Sequence, residues 1–131
     1  MTVRAFDHVA LPGGDLAALA AFYRALGCEV REDNDYIVSV HFGTNKINFH
    51  RPSLWQKPSF TLRAAGTLPG CGDLCFVWGG TIVEAIAAIR AAGASIEEGP
   101  VGREGGRNIE GTSVYTRDPD GSLVELMVYP A

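Results

Sequence analysis

The chain repeats one pattern of predicted secondary structure, and this repeat constrains the fold more than any other feature. Residues 4–50 give an alternating strand, a helix ending in YRALG and three more strands. Residues 73–129 give the same order, with a helix ending in IRAAG. A doubly wound parallel sheet would not place three strands after each helix. The pattern therefore predicts an α+β fold of tandem βαβββ modules.

Length and composition suit one domain spanning residues 1–131, because 131 residues with 47% hydrophobic content can bury a single sizeable core. We expect a first module at about residues 4–51 and a second at about residues 72–129. The proline-containing residues 52–71 form the predicted linker. The glycine-rich residues 99–111 lack an apolar period, so we predict a mobile loop there.

Charge and hydropathy exclude several classes of partner. The net charge of −4 comes from scattered residues without a basic block, so we expect no nucleic-acid binding. No apolar run is long enough for a membrane span, and no signal peptide is evident, so we expect a cytoplasmic protein. The three cysteines are interpreted as reduced thiols, with Cys75 as a small core residue.

Four segments resemble one protein family. FDHVAL at residues 6–11 and TRDPDGSLVEL at residues 116–126 are similar to the first strand and final hairpin of the vicinal oxygen chelate superfamily, which includes glyoxalases and ring-cleaving dioxygenases. FGTNKINFH at residues 42–50 and GDLCF at residues 72–76 resemble its glyoxalase-like members often labelled virulence proteins. The resemblance implies that paired modules form a U-shaped barrel around a metal ion.

The resemblance also implies the metal ligands. Carried across by position, the first module supplies His8 and His50, although Asn48 points the same way on the alternating strand as His50. The second module supplies Glu125 and Asp73, where many relatives have histidine. This mixed nitrogen and oxygen set suits a divalent ion such as nickel, manganese, iron, cobalt or zinc.

Further residues are candidates for chemistry or substrate binding. Glu125 or Asp73 is the candidate catalytic acid/base. Arg103 and Arg107 are candidates for clamping a substrate anion, although both also fit solvated positions in a loop. Tyr115 is a candidate for the cleft wall together with two tryptophans, although aromatic residues in strands more often serve core packing. The tryptophans are Trp55 and Trp78.

The predicted function is a glyoxalase-like lyase or isomerase reaction on a small α-hydroxycarbonyl or thiol adduct. A ring-cleaving dioxygenase also fits the resemblance, with His8, His50 and Glu125 holding ferrous iron and His41 acting as acid/base. A thiol transferase or a non-catalytic, bleomycin-resistance-like binding protein would fit it as well. We expect a small-molecule substrate, no membrane partner and a homodimer that buries an exposed sheet edge.

Overall fold

The computed structural model describes residues 1–32 and 34–131, so Asp33, where we expected a turn to begin, lies outside the described residues. The first half contains β1 (His8–Pro12), α1 (Leu16–Ala25), β2 (Glu29–Arg31), β3 (Ile37–Phe42) and β4 (Asn45–His50). A short helix, α2 (Pro52–Trp55), follows. The second half contains β5 (Asp73–Val77), α3 (Ile82–Ala91), β6 (Glu98–Glu104), β7 (Glu110–Arg117) and β8 (Leu123–Val128).

The strands form two four-stranded sheets of identical plan, in the orders β1-β4-β3-β2 and β5-β8-β7-β6. In each sheet the first strand pairs in parallel with the last, and the remaining pairs are antiparallel. The predicted α+β fold with two βαβββ modules is therefore confirmed. Strands β1 and β5 each lie at a sheet edge.

Local sequence sets the ends of the two long helices. The side chains of Asp15 and Thr81 accept hydrogen bonds from backbone N–H groups in the first turns of α1 and α3, which satisfies donors without partners in the helix. Gly27 and Gly93 follow these helices with φ values of +91° and +81°, which glycine adopts without steric cost. The two modules thus stop their helices in the same way.

One face of each sheet packs against a helix, and the two modules pack together through these helix-covered faces. The Phe76 ring lies 6.3 Å from the Tyr23 ring and 4.9 Å from the Phe42 ring, each a contact between modules. Tyr23 also donates a 2.9 Å hydrogen bond to Asp118. Asp120 accepts hydrogen bonds from two backbone N–H groups just before α1. The turn before β8 is thereby attached to the first module.

The prediction of a mobile loop at residues 99–111 is wrong, because most of this segment belongs to the β6–β7 hairpin. Its glycines serve close packing. A Cβ atom at Gly105 would collide with Tyr129 and Met127, and one at Gly111 would lie 2.9 Å from the Val128 carbonyl oxygen. Across the described ranges, no helix has the length and apolar character needed to cross a membrane.

Candidate metal centre

Each sheet has an outer face, turned away from its helix and from the contact between modules. Strand alternation places the predicted ligands on these faces. The first outer face carries His8, Ala10 and Pro12 of β1, His41 of β3, and Lys46, Asn48 and His50 of β4. The second outer face carries Asp73, Cys75 and Val77 of β5, Ser113 and Tyr115 of β7, and Glu125 of β8.

On the second outer face, Asp73 and Glu125 lie on neighbouring strands. Asp73 pairs with Leu123 in the parallel register, so Glu125 is two residues further along β8. The Ser113 hydroxyl, which is fully buried, donates a 2.5 Å hydrogen bond to Oε2 of Glu125. A half-buried carboxylate is thereby held in a fixed orientation beside Asp73.

Cys75 lies next to these carboxylates, and the prediction that it is a core residue is wrong. The residue is exposed on the edge strand and pairs with Glu125 in the register. The thiol is nevertheless partly shielded from solvent, and this partial burial, followed by the charge and hydrogen bond of Glu125, raises the pKa of Cys75 to about 12. The thiol therefore stays protonated at neutral pH. Strand alternation alone could have placed it beside Asp73.

On the first outer face, His8 is supported by its neighbour in sequence. Its Nδ1 lies 2.6 Å from Oδ2 of Asp7, and 46% of the His8 side chain is exposed. A carboxylate at one ring nitrogen fixes the orientation of the imidazole, as is common for histidines that bind metals. His8 therefore has the surroundings of a ligand.

The structure does not bring His50 level with His8. His8 pairs with Lys46, whereas His50 pairs with Pro12, which is four residues further along β1. The His50 ring instead packs edge-on against Phe60, with ring centroids 5.4 Å apart, and lines a cavity of about 460 Å³ with Trp55 and residues of the linker. Burial lowers the pKa of His50.

Asn48 of β4 lies between the levels of His8 and His50 along the strand direction of the sheet. Its Oδ1 is buried and has no hydrogen-bond partner among the described residues. The other two such atoms, Nε of Arg51 and Nε1 of Trp78, are donors, so Asn48 provides the acceptor of this group. Leaving a buried acceptor unsatisfied costs about 1–3 kcal/mol. A buried acceptor on a face with His8 fits a site that takes a cation, and imidazole and oxygen donors suit divalent ions.

The two groups of candidate ligands are separate within one chain. In the described part of the chain, no three His, Cys, Asp or Glu side chains converge closely enough to hold a metal ion. The contacts that join the modules, such as those of Tyr23, Phe76 and Asp120, are made at the helix-covered faces and the turn before β8. Each outer face therefore carries half of a candidate centre.

The predicted substrate-binding residues occupy different places. Tyr115 pairs with Glu125, and its hydroxyl accepts a 3.1 Å hydrogen bond from Nε of Arg103, so these two residues lie beside the carboxylate. Arg107 instead lies over the Tyr129 ring, 4.5 Å from its centroid, away from Glu125. The structure thus brings Arg103 and Tyr115 together and leaves Arg107 outside this group.

The two tryptophans lie away from the second outer face. Trp55 donates a 2.9 Å hydrogen bond to the carbonyl oxygen of Gly13 and lines the cavity next to His50. Trp78 is partly buried against the core and lines a pocket between the two modules. Neither is therefore placed beside Glu125.

Comparison with known proteins identifies the family. The family model of the Glyoxalase/Bleomycin resistance protein/Dioxygenase superfamily matches residues 5–126. The chain belongs to this superfamily. A superfamily relative, virulence protein STM3117 of Salmonella typhimurium, is 36% identical over 130 residues, covering 98% of this chain and 87% of that protein. Its crystal structure has a TM-score of 0.86 at 35% identity and covers 99% of this chain and 100% of that chain.

Two further comparisons give a relative with a glyoxalase domain in its name and a solved structure of lower identity. The glyoxalase domain-containing protein RDO1 of Mycosarcoma maydis is 34% identical over 129 residues, covering 98% of this chain and 70% of that protein. Lactoylglutathione lyase from Agrobacterium tumefaciens has a TM-score of 0.72 at 23% identity, covering 97% of this chain and 95% of that chain. The latter similarity shows the superfamily fold alone. The resemblance found in the sequence is thus confirmed at the level of the superfamily.

Proposed function

We propose that the protein is a metal-dependent, glyoxalase-like enzyme that isomerises or cleaves a small substrate with two neighbouring oxygen atoms. The observation that carries this proposal is the pair of carboxylates on the second outer face. Glu125 is half buried and oriented by the buried Ser113, and Asp73 lies on the adjacent strand. A carboxylate held this way serves both as a metal ligand and as a base.

The complete centre needs a second subunit, and we propose a homodimer in which the first outer face of one subunit meets the second outer face of the other. His8 of the partner subunit would then join Asp73 and Glu125. Edge strands β1 and β5 present unpaired backbone groups, and Phe6 and Val77 are large exposed apolar side chains next to or on them. Such edges and apolar side chains favour burial in a two-fold interface.

The proposed chemistry is proton transfer at a carbon next to a carbonyl group. A bound divalent ion would supply Lewis acidity, which polarises the carbonyl and makes the neighbouring C–H bond more acidic. Glu125 takes this proton and returns it to the adjacent carbon, while the hydroxyl proton of the substrate moves to the former carbonyl oxygen. The two transfers together balance the isomerisation without an external acid or base. Ser113 holds the carboxylate for this transfer, and Arg103 beside Tyr115 is placed to bind an anionic group of the substrate.

The register does not favour a ring-cleaving dioxygenase. That reaction would require His8, His50 and Glu125 on one iron ion. His8 and His50 lie at positions four residues apart along the sheet, which corresponds to about 13 Å. Two imidazoles at this separation do not reach the same ion at coordination distances of about 2 Å. This separation favours the proposed lyase or isomerase function over ring cleavage.

Nickel binding by the metal-stripped protein tests the proposal. We expect the wild type to bind about one nickel ion per chain and Glu125→Ala to lose this binding while the apo form keeps its dimeric state. Glu104→Ala, which removes an exposed carboxylate from the same sheet, is the matched control and should bind as the wild type does. A wild type that binds no nickel, or a Glu125→Ala variant that binds normally, would contradict the metal centre.

Activity is tested by following solvent deuterium into small α-hydroxycarbonyl compounds with NMR. The nickel-loaded wild type should exchange the hydrogen on the carbon next to the carbonyl, and Glu125→Ala should not. A nickel-loaded wild type that binds such compounds without exchanging hydrogen would instead indicate a binding protein.

A further inference from the structure

We propose that Asn48, and not His50, is the second metal ligand of the first module. This inference rests on the proposed metal centre and specifies its donor set. The full set would be His8 and Asn48 from one subunit with Asp73 and Glu125 from its partner.

The strand register favours Asn48. In the second module, Asp73 pairs with Leu123, and the ligand Glu125 lies two residues further along β8. In the first module, His8 pairs with Lys46, and the residue two positions further along β4 is Asn48. The two sheets have the same strand order and the same parallel pairing of first and last strands. Asn48 is therefore the counterpart of Glu125.

Distance along the strand separates the two candidates. Asn48 lies two residues, or about 7 Å, along the sheet from the level of His8, whereas His50 lies about 13 Å from it. Asp73 and Glu125 show the shorter offset. An ion held jointly by both modules is therefore within reach of Asn48 and out of reach of His50.

The surroundings of the two side chains favour Asn48 independently of the register. Oδ1 of Asn48 is a buried acceptor without a hydrogen-bond partner among the described residues. The His50 ring is already packed against Phe60 in the cavity beneath the linker. The acceptor atom of Asn48 thus lacks a partner, whereas the His50 ring already contacts Phe60.

The reassignment changes the chemistry of the centre. Replacing an imidazole by an amide oxygen leaves one nitrogen and three oxygen donors. Manganese prefers oxygen donors, whereas zinc and nickel prefer imidazole donors. We expect the wild type to discriminate less strongly against manganese, relative to zinc, than a variant that carries Asn48→His.

Metal titration of the purified dimer, with cobalt absorption spectra as a second readout, tests the inference. Asn48→Leu removes the oxygen at nearly constant volume, and His50→Phe removes both ring nitrogens while keeping an aromatic ring against Phe60. We expect Asn48→Leu to weaken nickel binding more than about tenfold, since even outer-shell partners of metal ligands contribute about 10- to 100-fold. His50→Phe should stay within about twofold of the wild type and keep its cobalt spectrum.

Asn48→Asp keeps an oxygen at the same place and adds charge, so its nickel affinity should equal or exceed that of the wild type. This variant distinguishes loss of the oxygen ligand from a folding defect in Asn48→Leu. Loss of binding in His50→Phe with normal binding in Asn48→Leu would overturn the inference and leave the metal centre in place. A wild type that binds no metal would overturn both. A loss of apo-protein melting temperature in Asn48→Leu without loss of metal affinity would assign Asn48 a purely structural role, and thereby also overturn the inference.

Discussion

Mixing two variants, each expected to lose the proposed metal centre, tests whether that centre is shared between the subunits of the proposed homodimer. His8→Ala removes a half-exposed proposed ligand from the first outer face, and Glu125→Ala removes the proposed carboxylate ligand from the second. Each homodimer then lacks a ligand in both of its centres. In a mixed dimer, one centre combines the two substitutions, and the other combines an intact His8 with an intact Glu125. Mixing therefore regenerates one of the two centres.

The expected recovery follows from random exchange of subunits. About half of the dimers in an equimolar mixture are mixed, and each holds one intact centre of two, so nickel binding should recover to about one quarter of the wild-type stoichiometry. Subunits are exchanged by mild denaturation and refolding, and bound nickel is measured after gel filtration. Mixtures that bind no more nickel than the separate variants, despite verified exchange, would refute the shared centre. Wild type mixed with Glu125→Ala calibrates the exchange.

Two stability predictions follow from packing at the module contact and at the hairpin. Tyr23→Phe removes the hydrogen bond to the buried Asp118 carboxyl and should cost about 1.5–3 kcal/mol in urea unfolding, whereas the exposed Tyr36→Phe should cost under about 0.5 kcal/mol. Burial raises the pKa of Asp118, and loss of the Tyr23 hydroxyl raises the pKa further in the folded variant. The loss of stability in Tyr23→Phe should therefore be smallest near pH 4, where Asp118 becomes protonated, and complete at pH 7, where Asp118 is ionised. A deficit that is equal at both pH values would contradict this. Gly105→Ala should lower the free energy of unfolding by about 1–3 kcal/mol because the added Cβ atom would collide with Tyr129. Gly106→Ala is the control and should be close to neutral, since an added Cβ atom there has no neighbour within 4 Å. Equal thermal unfolding of the two variants would contradict close packing at Gly105.

Most of the fold could be predicted from the sequence because its signals are local. Helix α1 has an Asp15 cap, a helical apolar period and a closing glycine, and α3 has the same features with Thr81. The position of β6 was predicted wrongly because the glycines of residues 99–111 were interpreted as flexibility. In the structure, Gly105 and Gly111 lie where other side chains or backbone leave no room for a Cβ atom. Such tertiary contacts leave no periodic signal in the sequence.

The candidate site was predictable only in halves. His8 and Glu125 lie in local motifs, but the choice between Asn48 and His50 depends on the register of β1 against β4, and a shift of two residues leaves the alternation pattern unchanged. No local motif signals that the side chains of the Asp118–Gly121 turn attach it to α1 and to the residues just before that helix. That attachment fixes the helix-covered faces against each other.

One chain is not enough for the proposed centre because of the way in which its two modules pack together. Because Tyr23, Phe42 and Phe76 join the modules through their helix-covered faces, each outer face is directed away from the other module. The same contacts hold the His8 strand and the Glu125 strand in a fixed relation. A second copy related by a two-fold axis would then meet both outer faces at once, and any ligand pair brought together at one centre would be brought together at the other. These contacts between the modules would therefore allow the proposed shared centre to form without rearrangement of the chain.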